Sequence, residues 1–253
     1  MEMNKKVMRA VMALVILATV GTTSIKADAS TYVPNEAYDF FLYQENEVEN
    51  ADYSALFIGN SITWHPVCDY WWGSWGMAAS TAENDYVHKV VAGLKETYNA
   101  VDYDIISYSV WERKNVRGIA LPKIDGILAN DYDLVVIQLG ENAKSTATFE
   151  ADYEQLVQYV KAKQPNAKIV LVGDFWVYPG RDAMKINVAT RQNCTYIDIS
   201  DIRTNKKYQS FVGDKVYGDD GKLHKIDFPP VAIHPNDLTY QCISERILGN
   251  IEK

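Results

Sequence analysis

The amino-acid sequence predicts a three-layer α/β/α domain built on a five-stranded, mainly parallel sheet. After residue 53, short apolar runs alternate with segments of helical periodicity. This alternation is typical of parallel sheets that are covered by helices on both faces. The 253 residues are 47% hydrophobic and 23% charged, which is an ordinary globular composition in a chain long enough for one large or two small domains.

Five apolar runs have the length and composition of buried strands. They are residues 55–58, 103–106, 134–139, 168–172 and 196–199. Four further segments have the apolar spacing of helices that bury one face. They are residues 86–97, 149–163, 181–192 and 238–248. Since right-handed crossovers bring the carboxyl ends of parallel strands to one edge, we expect functional residues directly after the strands.

Residues 1–29 have the three-part pattern of a secretory signal peptide. The parts are positive charges at Lys5, Lys6 and Arg9, an apolar run at 10–20, and Ala-Asp-Ala at 27–29. The apolar run is shorter than the roughly 20 residues that span a membrane, so an uncleaved N-terminal anchor is the less favoured alternative. We therefore expect a secreted protein whose mature chain begins at Ser30 and is not held at the membrane.

Two further segments complete the predicted organisation. Residues 30–53 are polar, acidic and rich in tyrosine, which predicts an extended N-terminal arm. Residues 54–253 form the predicted α/β/α domain. The whole chain carries 25 Lys+Arg against 33 Asp+Glu, a net charge of -8, and such a chain repels a phosphate backbone. Nucleic acid is therefore not an expected partner.

Ser61 follows the first strand of the predicted domain, in the segment Gly-Asn-Ser at residues 59–61. A hydroxyl at this edge can act as a nucleophile, and backbone N–H groups beside it can face an oxyanion. The alternative is turn chemistry, in which Ser61 only caps the following segment. The α/β-hydrolase elbow G-x-S-x-G is disfavoured because Thr63 stands where its second glycine would be and no other serine fits the pattern.

Two other polar groups fall at predicted loop positions. Asn142, in Gly-Glu-Asn at 140–142, follows the third strand, and its amide can donate to a developing oxyanion. His234, in His-Pro-Asn at 234–236, directly precedes the last helix. A histidine there can return to the crevice as a general base, although a lone loop histidine is more often structural.

In chain order, these three segments resemble the blocks of the SGNH (GDSL-like) hydrolase superfamily. The resemblance covers about residues 54–250, and residues 72–88 are similar to a secreted bacterial subgroup. It implies that Ser61 is the nucleophile and that His234 is the base. It also implies an oxyanion hole formed by the Ser61 N–H and the Asn142 side chain.

The sequence departs from the family pattern at two places. The aspartate that orients the histidine normally lies three residues before it, where this chain has Val231. The glycine of the second block is missing from residues 107–112, which leaves one oxyanion donor unassigned. Loss of the orienting function in a true triad costs about 10⁴ in rate. The candidates to replace it are Asp237, Asp227, Glu141 and a backbone carbonyl.

Aromatic residues after the strands suggest a carbohydrate substrate. Trp64, Trp111 and Trp176 each follow a strand run, and a sugar ring can stack its apolar face on such side chains. Core packing is the alternative. Glu112, beside Trp111, is interpreted as a substrate hydrogen-bond acceptor or as a surface carboxylate.

No metal or cofactor is expected. The four histidines form no H-E-x-x-H motif, and residues 218–221, Gly-Asp-Asp-Gly, read as a turn and not as a calcium loop. The three cysteines match no zinc pattern and allow at most one disulfide.

The sequence therefore predicts a secreted serine esterase that removes acetyl or other small acyl groups from carbohydrate through a Ser61 acyl-enzyme. One alternative is a polysaccharide O-acetyltransferase that uses the same acyl-enzyme and a sugar hydroxyl as acceptor. The other is a catalytically weak glycan-binding protein, favoured by Val231 in place of aspartate. The sequence does not indicate an oligomeric state.

Overall fold

A computed structural model describes residues 42–46, 48–144 and 146–251 of the chain. The predicted signal peptide, residues 1–29, lies outside the described residues, so its cleavage before Ser30 stays a prediction. In the part of the chain that is described, no helix is both long enough and apolar enough to cross a membrane.

The central sheet has six strands in the order β1-β3-β2-β4-β5-β6. The strands are β1 (Leu42–Asn46), β2 (Tyr53–Gly59), β3 (Val101–Ser107), β4 (Leu134–Gln138), β5 (Lys168–Val172) and β6 (Thr195–Ile197). Strands β2 to β6 are parallel, whereas β1 pairs antiparallel with β3 at the edge. The predicted five-stranded parallel sheet is confirmed, and β1 adds a sixth strand within the segment predicted as an arm.

Helices cover both faces of the sheet. They are α1 (Tyr86–Lys95), α2 (Ser109–Arg113), α3 (Phe149–Lys163), α4 (Arg181–Gln192) and α5 (Asp237–Ile251). Side chains alternate along each strand, so Phe57 of β2 packs with α1 and α5 while Ile58 packs with α2, α3 and α4. One core thus lies on each face of the sheet, between the sheet and the helices that cover it. The sheet and the two sets of helices are the three predicted layers.

A small antiparallel hairpin lies outside the central sheet. Its strands are β7 (Lys215–Tyr217) and β8 (Leu223–Lys225). The connecting segment contains residues 218–221, and Gly221 adopts a positive φ of 71° there. This conformation favours glycine, and it is the turn that the sequence predicts.

The strand register brings the future site residues to one edge. Gly59 at the end of β2 lies beside Ser107 at the end of β3 and beside Gln138 at the end of β4. The loops that follow these strands therefore start side by side. A Cβ at Gly59 would lie 1.7 Å from Thr63 Oγ1, so only glycine permits the tight turn that carries Ser61 out of the sheet.

Candidate active site

Ser61 and His234 are hydrogen-bonded at this edge of the sheet. Ser61 Oγ lies 2.9 Å from His234 Nε2, although the residues are 173 positions apart in the sequence. Ser61 lies in the turn after β2, and His234 lies between a short 3-10 helix, Val231–Ile233, and the start of α5. A hydroxyl in contact with an imidazole is the arrangement that activates a serine nucleophile.

The other ring nitrogen of His234 contacts a backbone carbonyl instead of a carboxylate. Nδ1 lies 2.8 Å from the carbonyl oxygen of Pro230. Because a carbonyl oxygen only accepts hydrogen bonds, Nδ1 donates, and Nε2 is left as the acceptor toward Ser61. The Pro230 carbonyl therefore fixes the tautomer that a general base requires.

Two of the three carboxylates proposed as orienting groups accept hydrogen bonds from other residues. Asp237 accepts hydrogen bonds from Ser80 N at 2.8 Å and from Ser80 Oγ at 2.6 Å. Glu141 accepts from Asn60 Nδ2 at 2.7 Å and from Gln138 Nε2 at 2.6 Å. Of the candidates named from the sequence, the backbone carbonyl is the one that contacts the histidine among the described residues.

His234 is buried, and its burial favours the neutral imidazole. Burial lowers the pKa of His234 to about 4, and the nearby His65 lowers it further while the Pro230 carbonyl opposes the shift. His65 lines the same cavity, and burial likewise lowers its pKa to about 4. His234 is therefore uncharged and able to accept a proton at neutral pH.

This shift predicts an unusual acid limb for activity. We expect kcat/KM for an uncharged ester to fall on the acid side with an apparent pKa near 4, instead of near the ordinary histidine value of 6.5. Because the pKa is lowered in the folded state, the contribution of neutral His234 to the free energy of unfolding is fully present above pH 6.5. It is lost as the pH falls toward 4. Initial rates measured with circular dichroism at each pH separate the two effects. An acid limb near 6.5 in folded protein would contradict this prediction.

Asn142 lies beside this pair. Ser61, Asn142 and His234 line one cavity of about 260 Å³. Asn142 Nδ2 donates one hydrogen to Glu112 Oε2 at 2.6 Å, and a second hydrogen remains on the same nitrogen. None of the described residues accepts a hydrogen bond from the Ser61 N–H. The two groups predicted as oxyanion donors therefore both have hydrogens to offer a substrate oxygen.

Glu112 has a different position from either of those predicted. Its side chain is only 1% exposed, so it neither contacts substrate nor lies on the surface, and both interpretations were wrong. It belongs to α2, which starts directly after β3, and it is one of the buried residues of that helix. Its carboxylate accepts hydrogen bonds from Gly140 N, Asn142 N and Asn60 Nδ2 as well as from Asn142 Nδ2.

A second buried acid lies next to Glu112. Asn60 Nδ2 bridges the two, 3.1 Å from Glu112 Oε1 and 2.7 Å from Glu141 Oε2. Burial raises the pKa of Glu141 to about 7, the charge of Asp174 raises it further, and Lys185 opposes the shift. Burial also raises the pKa of Glu112, against the effect of its N–H donors. Asn60 thus joins the nucleophile turn to the two acids behind it.

The loop at residues 140–143 is held from beneath by buried cations. Arg181 donates to the carbonyl of Gly140 at 2.6 Å and to that of Ala143 at 3.2 Å. Lys185 forms a buried ion pair with Asp174 at 2.7 Å. Gly140 has a φ of 151°, and a Cβ there would lie 2.3 Å from Asp174 Oδ1. Glycine is therefore required where the loop that carries Asn142 crosses this ion pair.

Two of the three tryptophans predicted to bind sugar are buried in the cores. Trp111 has 0% exposure and packs against Phe149 and Tyr153. Trp64 is only 7% exposed and belongs to the core on the opposite face of the sheet. Neither can stack on a substrate, so both predictions were wrong. Both predictions relied on the position of the tryptophan directly after a strand. That position does not determine whether the side chain faces the cavity or the core.

Trp176 lies on the cavity wall. Its ring is edge-on to His234, with ring centres 5.1 Å apart, and its Nε1 donates to the carbonyl of Ile233 at 3.1 Å. Two aromatic residues line the cavity with it, Tyr70 and Phe228, whose ring centres are 4.7 Å apart. Tyr70 belongs to the aromatic cluster that follows Ser61 in the sequence, whereas no sequence signal pointed to Phe228.

A second cavity of about 490 Å³ shares Arg113 and Asn142 with the first. Lys144 and Tyr178 also line it. Burial and the nearby carboxylates raise the pKa of Tyr178 to about 12, so its hydroxyl is protonated and donates to the carbonyl of Glu141. The two cavities together offer room for a substrate much larger than an acyl group.

Metal ions in proteins are held chiefly by histidine, cysteine and carboxylate side chains. Among the described residues, no cluster of three or more histidine, cysteine, aspartate or glutamate side chains could bind one. Cys68, Cys194 and Cys242 are all free thiols. Burial raises the pKa of the Cys68 and Cys194 thiols, which disfavours the reactive thiolate.

A serine that contacts a neutral histidine, next to an amide donor and at the carboxyl edge of a parallel sheet, defines a serine hydrolase of α/β/α architecture. The model of the GDSL-like Lipase/Acylhydrolase family matches residues 57–242. The chain belongs to this family, and the resemblance found in its three sequence blocks is confirmed.

Two solved structures of carbohydrate-active esterases are similar to this chain. A two-domain esterase active on acetylated mannans has a TM-score of 0.53 at 18% identity, over 79% of this chain and 49% of that chain. This chain thus spans about half the length of that protein. A family two carbohydrate esterase from Clostridium thermocellum, in complex with cellohexaose, has a TM-score of 0.48 at 17% identity, over 82% of this chain and 66% of that chain. A comparison with curated proteins found no match.

Proposed function

We propose that this protein is a secreted serine esterase that removes acetyl or other small acyl groups from carbohydrate. The 2.9 Å contact between Ser61 Oγ and His234 Nε2 carries the proposal, because it joins a nucleophile to a neutral base inside a cavity. The family of the chain supports ester hydrolysis. Export rests on residues 1–29, and N-terminal sequencing of protein from the medium should find Ser30 first.

The reaction follows from the positions of these groups. His234 Nε2 takes the proton of Ser61 Oγ as the oxygen attacks the ester carbonyl, and the Ser61 N–H and Asn142 Nδ2 stabilise the oxyanion. Collapse of the tetrahedral intermediate breaks the bond to the sugar oxygen, which takes the proton from His234. A water molecule, deprotonated by His234, then attacks the acyl-enzyme carbonyl. The second tetrahedral intermediate breaks its bond to Ser61 Oγ, which takes the proton back from His234, and the free acid is released.

Carbohydrate is favoured as the alcohol part of the ester. Tyr70, Trp176 and Phe228 give the cavity aromatic walls, and such walls can stack on the apolar face of a sugar ring. The cavity of about 260 Å³ opens beside the larger one at Arg113 and Asn142. A small acyl group at Ser61 with a glycan extending outward fits this arrangement.

The experiment that tests the proposal compares products. The protein is incubated with acetylated manno-, xylo- and cello-oligosaccharides, with and without an unacetylated acceptor glycan, and released acetate and acceptor mass are measured. Acetate release is the expected result. Acetylated acceptor without acetate would instead assign an O-acetyltransferase, and tight glycan binding without either product would assign a binding protein. The binding-protein alternative was favoured by Val231, which replaces the aspartate that orients the histidine. The Pro230 carbonyl now supplies a contact to His234 Nδ1 in place of that aspartate.

The aromatic wall gives a further prediction. Trp176→Ala should lower kcat/KM on acetylated oligosaccharide by about three- to tenfold more than on a small aryl acetate, since a stacked pair contributes about 0.5–1.5 kcal/mol. Steady-state kinetics on both substrates measure the ratio. Trp72→Ala is the matched control, because Trp72 is also half-buried but stacks on His224, away from the cavity. Equal losses on both substrates in Trp176→Ala would show that this residue is only a packing element.

A further inference from the structure

The carboxylate of Glu112 lies behind the cavity wall that Asn142 forms. Its Oε2 accepts from Asn142 Nδ2 at 2.6 Å, while Oε1 accepts from Asn142 N at 3.3 Å, from Asn60 Nδ2 at 3.1 Å and from Gly140 N. No lysine or arginine among the described residues forms an ion pair with it. Four N–H donors and, among the described residues, no acceptor form hydrogen bonds with this group. These contacts favour the ionised carboxylate and oppose the effect of its burial.

The contact at Oε2 determines which end of the Asn142 amide occupies that position. The carbonyl and NH₂ ends of an asparagine have almost the same shape, so only their hydrogen-bond partners distinguish them. An ionised carboxylate accepts hydrogen bonds and donates none, and it therefore selects the NH₂ end. With the amide reversed, Asn142 would present its oxygen to the developing oxyanion and repel it.

We propose that Glu112 is the positioning residue of the oxyanion hole, holding the Asn142 amide with its NH₂ group toward the substrate oxygen. Glu112 does not touch the substrate and acts only through Asn142. The inference rests on the proposed function, because it requires Asn142 as an oxyanion donor. It assigns a role in the esterase reaction to a buried acid that follows the second parallel strand.

The test is Glu112→Gln, which keeps the size of the side chain and replaces one oxygen by an NH₂ group. If the remaining oxygen stays with Gly140 N and Asn60 Nδ2, the new NH₂ group faces Asn142 and turns its amide. We expect kcat for an aryl acetate to fall roughly 10²- to 10³-fold, as for loss of one oxyanion donor. KM should stay within about threefold, because the interaction is made in the transition state.

The double variant separates positioning from general support. If Glu112 acts through Asn142, then Glu112→Gln with Asn142→Ala should be no slower than Asn142→Ala alone, within about threefold. A merely structural acid would instead give losses that multiply. Asp104→Asn is the matched control. Asp104 is a buried carboxylate, like Glu112, but it lies on β3 and accepts hydrogen bonds from Tyr132 Oη and Asn130. It should lower the melting temperature and leave kcat within about twofold, as expected for sites that do not couple.

The outcomes distinguish this inference from the proposed function. A large loss in Asn142→Ala with unchanged kcat in Glu112→Gln would overturn the positioning role alone, and so would multiplying losses. Unchanged kcat in Asn142→Ala would remove the oxyanion role and this inference with it. Fluorophosphonate labelling of Ser61 and a melting curve show that each variant is folded. Should Glu112→Gln not fold, Glu112→Asp, which withdraws the carboxylate by one methylene, undergoes the same double-variant test.

Discussion

Replacing Ser61 by alanine is expected to lower kcat/KM for ester hydrolysis by roughly 10⁴-fold or more while the fold is retained. The reason is that Ser61 Oγ is the hydroxyl that contacts the Nε2 of His234, so its removal leaves the base without a nucleophile to activate. Hydrolysis of an aryl acetate measures the loss. A fluorophosphonate should add its mass to Ser61 in the parent protein and should not label the variant.

The control for this result is Ser80→Ala. Ser80 is a half-buried serine whose hydroxyl donates to Asp237, and it does not line the catalytic cavity. This variant should keep its activity and its labelling at Ser61. Labelling of another residue in the parent protein, or substantial activity in Ser61→Ala, would contradict both the nucleophile assignment and the family role carried over to it.

His234→Ala should be almost as damaging, again by roughly 10⁴-fold, because no other described residue forms a hydrogen bond with Ser61 Oγ. By contrast, Asp227→Asn and Asp237→Asn should each change kcat/KM by less than about tenfold, since the Pro230 carbonyl supplies the orienting contact and neither aspartate does. Kinetics on an aryl acetate with the three purified variants measure this difference.

Stability must be measured beside these rates. Asp237 begins α5 and accepts two hydrogen bonds from Ser80, so Asp237→Asn should lower the melting temperature. Its charge in the first turn of the helix adds only about 0.3–1 kcal/mol. A loss of 10³-fold or more at an unchanged melting temperature, in Asp227→Asn, Asp237→Asn or Glu141→Gln, would mean that a side chain orients the base.

The fold was predictable where burial imposes a pattern on the sequence. Residues 149–163 and 181–192 were predicted as helices with the bounds they have in the structure. The first helix buries one apolar stripe, whereas the second buries Val188 and Ala189 together with two charged side chains, Arg181 and Lys185. Strand β1, Leu42–Asn46, gave no such signal. It pairs at the edge of the sheet through backbone groups, and that pairing does not require a continuous apolar run.

The site was predictable only in part. Ser61, Asn142 and His234 were predicted from strand ends and family blocks. Trp111 and Glu112, in contrast, were predicted to be accessible, whereas both are buried. Both belong to the five-residue helix α2, which is too short for helical periodicity to show which face turns inward. The Pro230 contact was even less accessible, since every residue has a carbonyl and its use depends on the turn that follows.

The carbonyl that supports His234 also affects how mutations can reach this site. A carboxylate in that position could be deleted by one codon change, but the acceptor here is a main-chain oxygen, 2.8 Å from Nδ1, and every amino acid at position 230 carries it. Side-chain scanning would therefore find a catalytic pair with no third member. Only a change in the backbone conformation of residues 230–234 could remove this contact. It therefore withstands substitutions that leave that conformation unchanged.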